Sequence, residues 1–211
     1  MAEVSGSAKI RVCLVDDHAM VRQALRDRCA READLEVVGE AATAAAAVGL
    51  VTSVRPDVAV LDVMLPDGDG VMACREIRSA APETACLMLT GYTGEQALVG
   101  AIMAGAAGYV SKQNAAEVLV DAIRTVAAGR SVLDAGAAKA VMDMVRDELA
   151  TGPGLSGRSM RVLELVGNGL TDRQIAKRLE VPVQTAQAEV VSLLGRLGLP
   201  AGPAAGEGLA G

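Results

Sequence analysis

Val58-Ala59-Val60-Leu61-Asp62-Val63-Met64-Leu65-Pro66-Asp67-Gly68-Asp69-Gly70 is the stretch that decides the fold. An unbroken apolar run ends at a carboxylate, and a Pro/Gly/Asp turn and an amphipathic stretch follow. A short run of this kind predicts a strand covered on both faces, as in a parallel sheet. Asp62 then stands at the strand's carboxyl end, where open α/β sheets place their chemistry. On this stretch alone, Asp62 reads equally well as a phosphoryl acceptor and as the cap of an ordinary turn.

The pattern repeats on both sides. Residues 9–15 (KIRVCLV) predict a strand ending in Asp16-Asp17-His18, and 19–32 have helical spacing. Leu35–Gly39 predicts a short strand, and Thr43 can cap a helix that runs through Val54 and is closed by Pro56. Helices over 69–80, 94–104 and 114–128 alternate with strands over 85–90 and 105–111, and Lys112 follows the last of these strands. Five strands alternating with five helices predict a parallel sheet with right-handed crossovers and helices on both faces. Residues 130–149 predict a turn and an amphipathic helix. Thr151-Gly152-Pro153-Gly154 has the chemistry of a hinge. Three short helices over 156–167, 171–179 and 183–197 follow. The tail, residues 200–211, is too rich in Gly, Pro and Ala to build a packed element.

The chain has 211 residues, 51% of them hydrophobic, with no Trp, no Phe and two Tyr, so the core is aliphatic. No apolar run is long enough to span a bilayer. Residues 1–8 lack the pattern of a signal peptide, and a cytoplasmic protein is expected. Cys13, Cys29, Cys74 and Cys86 are widely spaced and lie in or beside apolar segments, as buried reduced thiols do. Net charge is −6, which argues against non-specific coating of nucleic acid. The charge is uneven: residues 1–134 hold 12 Lys/Arg and 18 Asp/Glu, whereas residues 155–199 hold 6 and 4. An acidic body and a mildly basic second unit suggest two jobs.

In a doubly wound sheet the ends of the first and third strands are neighbours, so Asp16, Asp17 and Asp62 meet in one crevice. Three carboxylates there raise one another's pKa values, and a hard divalent cation removes the conflict. Mg²⁺ fits, with Asp17 and Asp62 as direct ligands, the Met64 backbone carbonyl as a third oxygen, and Asp16 acting through water. Thr90 and Lys112 end the fourth and fifth strands and face the same crevice. A carboxylate that attacks a phosphoryl group needs positioning, a metal and nearby cations, and Lys112 supplies a point charge. Each residue alone has a bland reading: Asp17 as a helix N-cap, His18 as a helix-start residue, Thr90 and Lys112 as loop polars. Their joint occurrence at four strand ends favours phosphoryl chemistry.

Val15-Asp16-Asp17-His18, Val60–Gly70, Leu89-Thr90-Gly91-Tyr92-Thr93 and Gly108-Tyr109-Val110-Ser111-Lys112 resemble the receiver domain of two-component response regulators over residues 9–130. The resemblance implies a flavodoxin-like five-stranded receiver, phosphorylated on Asp62 by a sensor histidine kinase with Mg²⁺. It also implies a Thr90–Tyr109 switch, in which Thr90 moves toward the phosphate and Tyr109 turns into the space it leaves.

Residues 155–199 resemble the LuxR-type helix-turn-helix domain of the NarL/FixJ class, through Leu155-Ser156-Gly157-Arg158, residues 162–171 (VLELVGNGLT), residues 174–179 (QIAKRL), Thr185 and residues 194–198 (LGRLG). With Gly129–Asp134 (GRSVLD), the chain looks most like the DevR/DosR subgroup. Residues 131–154 then form a linker helix and hinge. The resemblance implies control of transcription through promoter DNA, with homodimers on phosphorylation and Arg173, Lys177, Arg178, Gln184, Thr185, Gln187 and Arg196 as DNA-contact candidates. Thr171 and Gln174 have the spacing of a capping box.

This segment departs from the family pattern in the second helix of the motif. Pro182 stands where a Ser-type cap is usual, Gln187 replaces a lysine, and Glu189 replaces an imidazole or aromatic. Ser159 replaces an acid in the first helix, and the tail replaces the last helix. Loss of a cation and gain of an acid weaken phosphate contact, although Glu can read cytosine. An output unit acting through protein interaction is therefore the alternative. Two further readings are weaker. Gly68-Asp69-Gly70-Val71-Met72-Ala73 fits a dinucleotide fingerprint, but the acids of the first βα unit would repel a pyrophosphate. A phosphomonoesterase lacks an acid/base set.

Overall fold

A computed structural model of the chain describes residues 9–91, 95–133, 135–151 and 156–199. Strand β3 (Val58–Asp62) is buried along its whole length, as its unbroken apolar run requires. The sheet grows outward from it. β1 (Ile10–Val15) and β6 (Ala85–Thr90) pair with its two edges, and β2 (Leu35–Ala41) and β7 (Gly108–Ser111) close the ends, giving the order β2-β1-β3-β6-β7. Every pairing is parallel. The register sets Val15 beside Leu61, Asp62 beside Leu89, and Thr90 beside Ser111. The three central carboxyl ends are thereby level.

Alternate strand residues feed opposite faces. Val12, Leu14, Val58, Val60, Leu87 and Leu89 pack under α1 (Ala19–Ala30) and α5 (Ala115–Ala127). Cys13, Val15, Leu61 and Met88 pack under α2 (Ala44–Val54), α3 (Gly70–Ala80) and α4 (Glu95–Ala104). The four cysteines are free and buried.

Three details differ from the sequence reading. β2 runs on to Ala41. The last strand begins at Gly108 rather than Gly105, because Gly105 adopts a left-handed φ of 66° at the end of α4 and spends the preceding residues in the turn. Between Asp62 and α3 lies a small antiparallel hairpin, β4 (Met64–Leu65) and β5 (Gly68–Asp69). Its Asp67 accepts from the backbone N–H of Ala44 (2.7 Å) and Ala45 (3.1 Å), while the Thr43 hydroxyl accepts from Ala46 (3.2 Å). The first turn of α2 is thus capped twice.

The rest is helical: α6 (Ala135–Thr151), α7 (Gly157–Gly167), α8 (Asp172–Leu179) and α9 (Val183–Arg196). The Thr171/Gln174 capping box opens α8, and α9 follows Pro182 with no side-chain cap. Thr151 still belongs to α6; Gly152–Gly154 of the hinge, and the tail 200–211, lie outside the described residues. Val162, Leu163, Ile175, Val190 and Leu193 form an apolar centre continuous with the α3/α4 side of the sheet. α6 packs on α4 and α7, α7 on α4, and α8 on α3. Among the described residues, no helix is long and apolar enough to cross a membrane.

Candidate phosphoacceptor and metal site

β1 and β3 deliver Asp16 and Asp62 side by side, 0% and 2% exposed, and the chain past β7 brings in Lys112. The Lys112 ammonium lies 2.6 Å from Asp16 Oδ2 and 2.8 Å from Asp62 Oδ2. Its backbone N–H donates to the Thr90 carbonyl (2.8 Å), which fixes where the side chain starts. Asp62 Oδ1 accepts from Met64 N–H at 3.2 Å. Gly70 is required here: a Cβ would run into the Asp62 carbonyl oxygen.

Burial raises the pKa of Asp62, opposed by Lys112 and the Met64 N–H and reinforced by the Asp16 charge. Burial pulls Lys112 down, but its bonds to Asp16 and Asp62 outweigh this, and its pKa is raised. Asp16 Oδ2 makes no well-aligned hydrogen bond, so only the ammonium charge compensates it.

The first helix begins after His18, so Asp17 is not its N-cap. His18 holds the loop instead: its N–H donates to Asp16 Oδ1 at 2.8 Å. Its Nδ1 lies 2.6 Å from Asp17 Oδ1 and 3.3 Å from Asp16 Oδ1. Ligand atoms of Asp16, Asp17, His18 and Asp62 all lie within 4.8 Å of one another. Three carboxylates against one lysine leave a deficit of positive charge, and a divalent cation with oxygen ligands fits it.

The chain as a whole has clear relatives. Residues 12–124 match the model of the response regulator receiver domain. The chain belongs to the response-regulator family. It is 44% identical over 193 residues to the DNA-binding transcriptional activator DevR/DosR of Mycobacterium tuberculosis, across 90% of this chain and 89% of that one. A LuxR-family two-component response regulator from Aurantimonas sp. shares 35% identity and a TM-score of 0.58, over 65% of this chain and 98% of that one. The response regulator ChrA of a heme-sensing two-component system shares 32% identity and a TM-score of 0.52, over 92% of both chains.

In this response regulator Thr90 is nearly fully buried at the end of β6, on the same sheet face as Met88. Tyr109 is half-buried on β7, directly beside Met88, and packs on that face as well. The two residues of the expected switch therefore share the side of the sheet that α4 covers. Arg173, Lys177, Arg178, Gln184 and Arg196 are exposed, and Thr185 and Gln187 are half-buried. Arg173 does not point freely to solvent: it donates to the Ser79 carbonyl of α3 at 3.2 Å. Glu189, one of the expected departures from the family pattern, accepts from the hydroxyl of Ser159, another of them, at 2.8 Å. The two substitutions satisfy each other.

The least legible contact in the sequence is Arg75. Its guanidinium, 0% exposed, reaches from α3 to Asp172 at the start of α8, with Nε 2.7 Å from Oδ1. It also donates to the carbonyls of Met103 (2.6 Å) and Leu170 (3.2 Å). Arg78 adds a bond to the Gly169 carbonyl at 3.2 Å. One arginine thus clamps α3, α4 and the α7–α8 turn together. Asp172 lies in the first turn of α8, where the helix dipole favours an acid. No local sequence pattern around Arg75 sets it apart from an ordinary helix-surface arginine.

Proposed function

We propose that Asp62 accepts a phosphoryl group from a sensor histidine kinase, and that this controls transcription through promoter DNA held by the C-terminal helices, with residues 9–130 as receiver and 155–199 as output unit. The observation that carries the reading is the convergence of two buried acids, an exposed acid and a lysine at the carboxyl ends of β1, β3 and β7. In the transfer, an Asp62 oxygen attacks phosphorus, the acyl-phosphate O–P bond forms, and the donor's P–N bond breaks, leaving neutral imidazole on the donor once it takes up a proton. Lys112 is placed to move from the two carboxylates to the arriving phosphoryl oxygens. The Thr90 hydroxyl donates to one of these oxygens, and Tyr109 follows inward. Asp17, Asp62 and the Met64 carbonyl, with Asp16 through water, would hold Mg²⁺, which would offset the negative charge on the phosphoryl oxygens. A groove of about 310 Å³ between α1 and α5, lined by Met20, Val21, Ala24, Leu25 and Ala115 with Lys112 at its rim, offers the donor an apolar seat next to the crevice.

The closed arrangement supplies the regulation. Arg173 is held on α3, and Arg75 ties α8 to the two helices that follow the Asp62 and Thr90 strands. A shift of α4 as Tyr109 moves would loosen the Met103 bond and favour release of α8 and α9 toward DNA, alone or as a homodimer. The test is labelling by a small-molecule phosphodonor with Mg²⁺, followed by a salt-dependent gel shift on the chain's own promoter region. Wild type should label and bind more tightly after labelling. Asp62→Asn should do neither, and equal labelling of Asp62→Asn would overturn the assignment.

A further inference from the structure

His18 is the chain's one histidine, and nothing proposed so far uses its imidazole. It occupies the N-cap position of α1, yet its side chain makes no capping bond. The ring instead turns back over the crevice. Its Nδ1 stands 2.6 Å and 3.3 Å from oxygens of Asp17 and Asp16, within the same 4.8 Å span as Asp62. Adjacent ligands on an octahedral ion with bonds of about 2.1 Å stand about 3 Å apart, and the two His18 distances bracket that spacing. The ring's side chain is 68% exposed, so it can adjust without disturbing the core.

We infer that His18 is a metal ligand, and that the crevice is a mixed nitrogen–oxygen site that prefers borderline divalent ions such as Mn²⁺ and Co²⁺ over Mg²⁺. The inference rests on the reading of the crevice as a cation site. Oxygen-only sites suit Mg²⁺, whereas imidazole adds affinity for first-row transition ions in the order Mn²⁺, Fe²⁺, Co²⁺, Ni²⁺. His18 would replace one of the waters that Mg²⁺ retains. Lys112 contacts Asp16 and Asp62 and leaves Asp17, the acid nearest the ring, without a lysine.

The experiment is titration of the full chain, free of any histidine tag, with Mg²⁺, Mn²⁺ and Co²⁺ separately, comparing wild type, His18→Ala and Asp17→Asn. His18→Ala should weaken Co²⁺ and Mn²⁺ binding about tenfold and leave Mg²⁺ within about twofold. Asp17→Asn should weaken all three. The single histidine gives one set of imidazole resonances, and Co²⁺ should displace them by direct contact in wild type. Equal Co²⁺ affinity in wild type and His18→Ala, with Mg²⁺ still bound, overturns the imidazole assignment alone. Failure of every ion to bind wild type overturns it together with the crevice reading.

Discussion

Two buried cation–carboxylate contacts hold opposite kinds of place in this molecule. In the crevice, Lys112 is 25% exposed and shared between Asp16 and Asp62. Between α3 and α8, Arg75 is fully enclosed and meets one acid and two carbonyls in a fixed fork. The lysine is a mobile point charge beside water, with more acids than it can satisfy. The arginine is planar, pre-organised and dry. A site that must hand its cation to an incoming group is built the first way, and a clamp is built the second way. Both leave one carboxylate oxygen without a well-aligned hydrogen bond, Asp16 Oδ2 and Asp172 Oδ2, so neither is a stability-optimised pair.

The comparison breaks most sharply at Arg75. Arg75→Ala leaves Asp172 buried without a cation, and a loss of about 3–5 kcal/mol is expected in chemical denaturation. The variant should also bind promoter DNA without a phosphodonor, since Arg173 is released with α8. Arg75→Met combined with Asp172→Leu should recover most of the stability, because apolar replacement of a buried pair is often neutral. A loss below about 1 kcal/mol for Arg75→Ala would mean that the clamp is not the main tie between α3 and α8.

Asp69 sharpens the comparison because no cation pairs with it among the described residues. It caps α3 through the Val71 N–H at 2.8 Å and is 2% exposed, with Oδ2 unpartnered. Burial pushes its pKa up to about 7, against the pull of the Val71 N–H. An acid raised in the folded state binds its proton more tightly there than in the unfolded chain. Its contribution is complete below the unfolded value near 3.8, and it is lost as pH rises to about 7. Asp69→Asn keeps the cap and removes the titration. Its stability relative to wild type should therefore climb between pH 4 and 7, on the order of a few kcal/mol, and level off above. A difference independent of pH would show that the folded protein relieves the charge in another way.

The crevice was readable because each of its residues sits at the end of an apolar run, so that strand prediction and residue chemistry point to one place. Parallel pairing then brought Asp16, Asp62 and Lys112 together across 96 positions of sequence. The clamp was not readable, because the residues that build it look ordinary on their own elements. Arg75 lies on the outer side of α3, and only the docking of α8 makes that side an interior. The β4–β5 hairpin escaped for a different reason: two-residue strands carry no periodicity. His18 was placed correctly at the start of a helix, but its direction over the acids depends on the turn that Asp16 and Asp17 make. The Ser159 and Glu189 departures were visible separately, and their mutual bond was not, since they lie 30 positions apart.

That last pair gives the mildest case, a half-buried acid partnered by a neutral hydroxyl. Ser159 Oγ donates to Glu189 Oε2, and the Ser156 hydroxyl lies 2.9 Å from Ser159 Oγ. Ser159→Ala removes both hydrogen bonds of this hydroxyl beside solvent, and a loss of about 1–2 kcal/mol is expected. Glu189 is then free to swing outward from α9, where its charge would repel a phosphate backbone and lower DNA affinity most at low salt. Phosphodonor labelling at Asp62 should be unchanged, because α7 and α9 do not touch the crevice. Ser159→Ala losing as much stability as Arg75→Ala would place Glu189 with the dry clamp. Unchanged DNA affinity would show that the carboxylate stays turned toward α7 without the serine.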